Sequence, residues 1–172
     1  MKKPLAFFYR GSTYVFANGG PIDDAFFIRW VIINKSDLKY DDTYFGIWMD
    51  PDLFLVDDLT GFDLSRNMAY AYQPSDNEPA VALGIDLLEK SLNMSGEPVH
   101  PTSFSGFRRG LRGTPENDRQ RYFALQGLDL LGTPKPNGPF DFTGDPVTGT
   151  GDLNQSTGDK SILLSMGPFT LN

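Results

Sequence analysis

Apolar and polar positions alternate along this chain in short blocks, and the blocks read as strands. The clearest covers residues 26–33, where β-branched and aromatic side chains follow one another and only Arg29 interrupts them. Such a run predicts a strand buried on nearly both faces. Asn34-Lys35-Ser36-Asp37 makes a polar turn, and residues 44–49 return as a second apolar strand, so the two are expected to pair as a long hairpin. Tyrosines alternating with alanines predict a strand over 68–72, and further strands are expected over 81–88, 161–166 and 169–171. Residues 6–9 and 14–16 suggest another hairpin, folded around Gly11.

One helix stands apart from this pattern. Asn117 with Gln120 three residues on resembles a capping box, Tyr122, Leu125 and Gln126 keep helical spacing, and Gly127 is placed as a C-terminal stop. Residues 132–151 are rich in Gly, Pro and Thr without periodicity, which predicts a long connection. Together these elements predict a mainly β fold, a jelly-roll-like β-sandwich with one short helix and long loops, in a single domain over residues 1–172.

Composition narrows the possible partners. A net charge of −7 and a pI near 4.6 argue against nucleic-acid binding, which needs a positive surface. No apolar run is long enough to insert into a membrane as a helix, and the first ten residues, interrupted by Arg10, read as structure and not as a targeting signal. The chain has no Cys, which removes disulfides, thiolate zinc sites and cysteine nucleophiles together.

Between Tyr40 and Ser65 the sequence holds seven aspartates (Asp41, Asp42, Asp50, Asp52, Asp57, Asp58, Asp63) and neither Lys nor Arg to balance them. Calcium takes six to eight oxygen ligands in flexible geometry, and an irregular acidic loop supplies them. Asp50, Asp52, Asp57, Asp58 and Asp63 are therefore the expected calcium ligands, with Gly61 bending the chain so that Asp63 comes alongside. Asp41 and Asp42 fall in the preceding turn as bystanders. Aspartates also serve as ordinary turn residues, and that plainer reading stands beside the first. A weaker oxygen-rich stretch, from Asp152 through Asn154 and Ser156 to Asp159, lacks the closing Glu of a calcium-binding helix-loop-helix and reads first as a polar turn.

Five arginines, Arg108, Arg109, Arg112, Arg119 and Arg121, lie among Phe104, Phe107, Tyr122 and Phe123. In an acidic chain they suggest an ion-paired face or a contact for a protein neighbour, and an Arg face meeting the acidic loop of another copy would assemble head to tail into a filament. The single histidine, His100, sits between Val99 and Pro101 with no second histidine, cysteine or Gly-x-Ser-x-Gly elbow to build a catalytic site around it.

Several blocks resemble a region of large secreted proteins from bacteria that use type IX secretion: Phe27-Ile28-Arg29-Trp30, then residues 44–52, then Asp57-Asp58-Leu59-Thr60-Gly61-Phe62-Asp63, Asn67 to Tyr72, and residues 144–151 with the final Gly-Pro-Phe-Thr-Leu. Phe54 and Phe62 stand where those proteins usually have Gly and Cys. The resemblance implies an extracellular or cell-surface location within a longer multidomain protein, and implies no activity. The sequence thus predicts a non-catalytic structural or adhesive module stabilised by calcium. The alternative is a module that binds glycan or protein through exposed aromatics, and a hydrolase built on two carboxylates stands third.

Overall fold

The computed structural model describes residues 7–53, 57–74, 81–88, 91–92, 98–108 and 113–172. Strands take up 49% of the chain and helix 8%, so the fold is mainly β and sandwich-like, as the alternating pattern predicts. The chain divides into two compact units, Met1–Asp41 with Thr170–Asn172, and Asp42–Phe169.

The first unit is built on a two-stranded antiparallel ribbon, β1 (Phe7–Val15) with β2 (Phe26–Asn34). Here the sequence misleads three times. Gly11 does not turn the chain; it sits opposite Trp30 inside one continuous strand, where a side chain would press on the indole ring. Nor does β2 pair with the next strand among the described residues; it pairs with β1, and that next strand pairs with the last strand. The apolar run of β2 is also more open than expected: Trp30 keeps 48% of its surface and Phe26 56%. A two-stranded ribbon has no second layer of its own, and an apolar run shows what a strand can bury, not what it does bury.

The second unit holds the core. β3 (Tyr40–Met49) pairs with the last strand, β10 (Lys160–Leu171), which pairs in turn with β9 (Pro101–Arg108). A second sheet follows the order β4 (Leu59–Asp63), β5 (Met68–Tyr72), β6 (Ala82–Ile85), and a two-residue ladder joins β7 (Ser91–Leu92) to β8 (Pro98–Val99). Phe62 and Ala69 of one sheet meet Phe104, Ile162 and Leu164 of the other, all fully buried, and this is the sandwich core. The rings of Phe62 and Phe104 lie 5.7 Å apart, with Phe140 4.6 Å from Phe62.

On the opposite face of β10, Leu163 packs with Phe107 and with Ala124 and Leu125 of the helix α1 (Asp118–Leu125). Alternation along a strand explains how one strand serves both sides. The helix begins as predicted: the Asn117 side chain accepts the N–H of Gln120 at 3.0 Å, and Gly127 follows its end with φ at 75°. The segments 161–166 and 169–171 prove to be one strand, with its register shifted between Ser165 and Met166.

Candidate functional site

The acidic segment leaves the end of β3 and enters β4, and its aspartates part company on the way. Asp50 accepts the Ser161 hydroxyl at 3.0 Å. Asp52 and Asp57 are exposed, whereas Asp58, at the edge of β4, is fully buried. Residues 54–56, Phe54 among them, lie outside the described residues, as do Ala6, Arg109 and Arg112.

Asp58 is the unusual member. Its backbone N–H donates to the Gly158 carbonyl at 3.2 Å in an isolated antiparallel bridge, which sets it next to Asp159. Neither of its carboxylate oxygens has a hydrogen-bond partner among the described residues. Burial raises its pKa most, and the charges of Asp52, Asp57 and Asp159 raise it further. The Leu53 N–H pulls the other way, but it makes no hydrogen bond of normal geometry with either oxygen. Three carboxylates thus act on Asp58 here, and one oxygen of Asp159 is also buried. Among the described residues no three acidic or histidine side chains already stand at the spacing of a formed metal site.

Asp63 is separated from this group, contrary to the sequence expectation. It closes β4 at the end opposite Asp58, about 16 Å of extended chain away, and turns back toward β5. Its carboxylate is occupied: Oδ1 accepts the Ser65 N–H and hydroxyl at 2.8 and 2.6 Å, and Oδ2 pairs with Arg66 at 2.5 Å. The Ser65 hydroxyl and the Arg66 guanidinium hold its pKa down at about 2. Gly61 makes no bend, since it lies within straight β4 under the Tyr70 ring, where a side chain would collide. Asp63 is an ordinary turn aspartate.

Asp41 and Asp42 have contacts of their own. Asp41 pairs with Lys39 at 2.9 Å and accepts the Thr170 hydroxyl, while Asp42 offers its carbonyl to the Tyr122 hydroxyl at 2.8 Å. The weaker oxygen-rich stretch is divided as well. Asp152 accepts from Asn137 and from the Phe142 N–H, Asn154 belongs to a buried polar chain with Thr60 and Lys160, and Asp159 joins Asp58. Nothing local in the sequence couples Asp159 to Asp58, because the link is a long-range strand contact.

Of the five arginines, those described each have a separate partner. Arg108, on β9, donates to the Ser156 hydroxyl at 3.0 Å, Arg119 lies over the Phe123 ring at 5.2 Å, and Arg121 pairs with Asp118 at 2.7 Å. His100 is exposed just ahead of β9. No helix among the described residues is long and apolar enough to cross a membrane. What the geometry defines is a mainly β, sandwich-like chain with a buried carboxylate at the crossing of two acidic segments. Comparison with family models, curated proteins and solved structures finds no match to it.

Proposed function

We propose that this chain is a non-catalytic, extracellular structural or adhesive module in which calcium ties the two acidic segments together, with Asp52, Asp57, Asp58 and Asp159 as its carboxylate ligands. The observation that carries this reading is Asp58, buried with no hydrogen-bond partner for either oxygen among the described residues and repelled by three like charges. An unpaired carboxylate in such surroundings is destabilising by several kcal/mol if ionised, so a protein that keeps one either protonates it or supplies a cation. The donors here are all oxygens, which selects a hard ion, and an irregular, partly exposed loop suits calcium better than magnesium, whose octahedral demands are strict. In this reading the ion draws exposed Asp52 and Asp57 inward over Asp58, and carbonyls and water complete the shell.

Extracellular calcium modules work at the high, millimolar calcium found outside cells, and that agrees with the location implied by the resemblance to type IX secreted proteins. Self-assembly belongs to the same reading: Arg108, Arg119 and Arg121 are exposed, as are Asp52 and Asp57, so opposite charges are on offer to a second copy. The decisive experiment is thermal unfolding of the full chain in millimolar calcium and in excess chelator. Calcium should raise the melting temperature by several degrees, in proportion to the logarithm of its concentration above Kd. An identical melting temperature in both would refute the calcium site.

A further inference from the structure

Next to the acidic crossing, but made of different side chains, lies a groove of about 470 Å³ lined by Arg108, Phe142, Asn154, Gln155, Ser156 and Lys160. Its floor is Lys160, which begins β10 directly opposite Arg108 of β9, so the two cations stand on neighbouring strands and face the same way. Lys160 keeps 4% of its surface. Its ammonium makes one long bond, 3.4 Å to the Asn154 Oδ1, and no carboxylate pairs with it among the described residues. A lysine so placed loses hydration and meets repulsion, and an anion between the two cations would offset both.

The wall of the groove is also strained. Phe142 has φ at 57°, in the left-handed region that a bulky side chain rarely enters, and its ring lies against Gly106, where a β-carbon would approach to 3.1 Å. Strain of this kind persists where the surroundings enforce it and often marks a ligand site. Phe142 is enforced here, because its carbonyl accepts the Phe62 N–H at 3.1 Å and its N–H donates to Asp152 at 3.3 Å.

We propose that this groove binds an acidic sugar, a hexuronate residue of a polysaccharide, with its carboxylate between Lys160 and Arg108. The carboxylate matches the paired cations, and the Arg108 fork suits two-point contact. The apolar face of a pyranose ring matches the Phe142 ring. The exposed Gln155 amide and the Ser156 hydroxyl both donate and accept, which is what vicinal sugar hydroxyls require. An amino-acid carboxylate would use the cations but leave the ring wall and the amide without partners. The groove is of ordinary ligand-site size, and the proposal does not rest on calcium.

The test titrates the isotopically labelled full chain, in chelator, with galacturonate, glucuronate, glucose and glutamate, and follows the amide signals of Gly106 and residues 154–156 by NMR. Saturable millimolar shifts are expected from at least one uronate, with glucose and glutamate at least about 10-fold weaker. Lys160→Met and Arg108→Gln should each weaken the uronate at least about 10-fold. If Lys160→Met does not fold, the exposed Arg108→Gln alone decides. The proposal fails if neither uronate shifts these signals, if glucose or glutamate binds as tightly, or if folded Arg108→Gln binds like the parent chain.

Discussion

The backbone N–H of Asp58 donates to the carbonyl of Gly158 at 3.2 Å, and this bond brings two acidic segments from distant parts of the chain to one point. The contact explains why Asp58 carries so much charge repulsion: Asp52 and Asp57 reach it along the chain, and Asp159 arrives with Gly158. It also moves Asp159 out of a separate turn and into the group on which the calcium proposal rests.

Replacing Asp58 by Asn tests the role of its charge. Asn keeps the shape and removes the negative charge, so two opposite effects are expected. In chelator Asp58→Asn should be more stable than the parent by about 1–2 kcal/mol, or roughly 3–6 °C for a chain of this length. In calcium the order should reverse, since the variant lacks the central ligand. Differential scanning calorimetry in both buffers reads the crossing, and a variant less stable than the parent in both would mean that the carboxylate serves a structural bond instead.

The pH dependence separates Asp58 from Asp63 by sign. Asp58 has its pKa raised above the usual 3.8, so the folded state holds its proton more tightly than the unfolded chain does. Without metal, its contribution is fully present below 3.8 and is lost as pH rises through the raised value. Asp63 is the reverse. With a pKa of about 2 it contributes stability above 3.8, and that contribution fades as pH falls toward 2. In chelator, the advantage of Asp58→Asn over the parent should therefore grow with rising pH, whereas the deficit of Asp63→Asn should shrink on acidification. Melting temperatures of the three proteins from pH 2 to 7 check both slopes.

How much of this was readable in advance follows the range of the interactions. The helix was legible to its caps because Asn117, Gln120 and Gly127 act within one turn of the chain, and β5 was legible from its period of two. Strand β9 escaped notice, since Pro101-Thr102-Ser103-Phe104-Ser105-Gly106-Phe107-Arg108 mixes serines with aromatics; the serines are nonetheless buried, Ser103 giving its hydroxyl to the Leu125 carbonyl at 3.3 Å. Strand β4 was hidden by the aspartates at its edges, which read as loop. Pairing partners were the least legible: β2 joins β1 and β3 joins β10, choices set by long-range packing and not by the nearest turn. At the site, Asp52, Asp57 and Asp58 were visible as a charge excess, but the removal of Asp63 and the arrival of Asp159 depend on the straightness of β4 and on the Gly158 bridge.

That straightness can be tested at Gly61. Tyr70 stands opposite it across the β4–β5 ladder, and its ring fills the space a side chain would need. Gly61→Ala should destabilise the fold by about 1–3 kcal/mol through overpacking. The double variant with Tyr70→Ala should lose less than the sum of the two single changes, by at least about 0.5 kcal/mol. Simple additivity in urea unfolding would show that Gly61 serves the backbone and not the ring.

The helix offers the cleanest local test, because it covers one face of β10 with Ala124 and Leu125 and its start is capped by a single side chain. Its first turn is held by two bonds: Asn117 accepts the Gln120 N–H at 3.0 Å, and the Gln120 side chain reaches back to accept the N–H of Glu116, one residue before the cap, at 2.7 Å. Removing the first with Asn117→Ala leaves an amide without its cap and should lower stability by about 1 kcal/mol, whereas Asn117→Asp or Asn117→Ser should lie close to the parent. Asp carries the further advantage of a negative charge at the positive end of the helix. The midpoint of urea unfolding ranks the four proteins, and an Asn117→Ala midpoint equal to that of the parent would mean that Leu163 and Phe107 hold the helix in place without help from its cap.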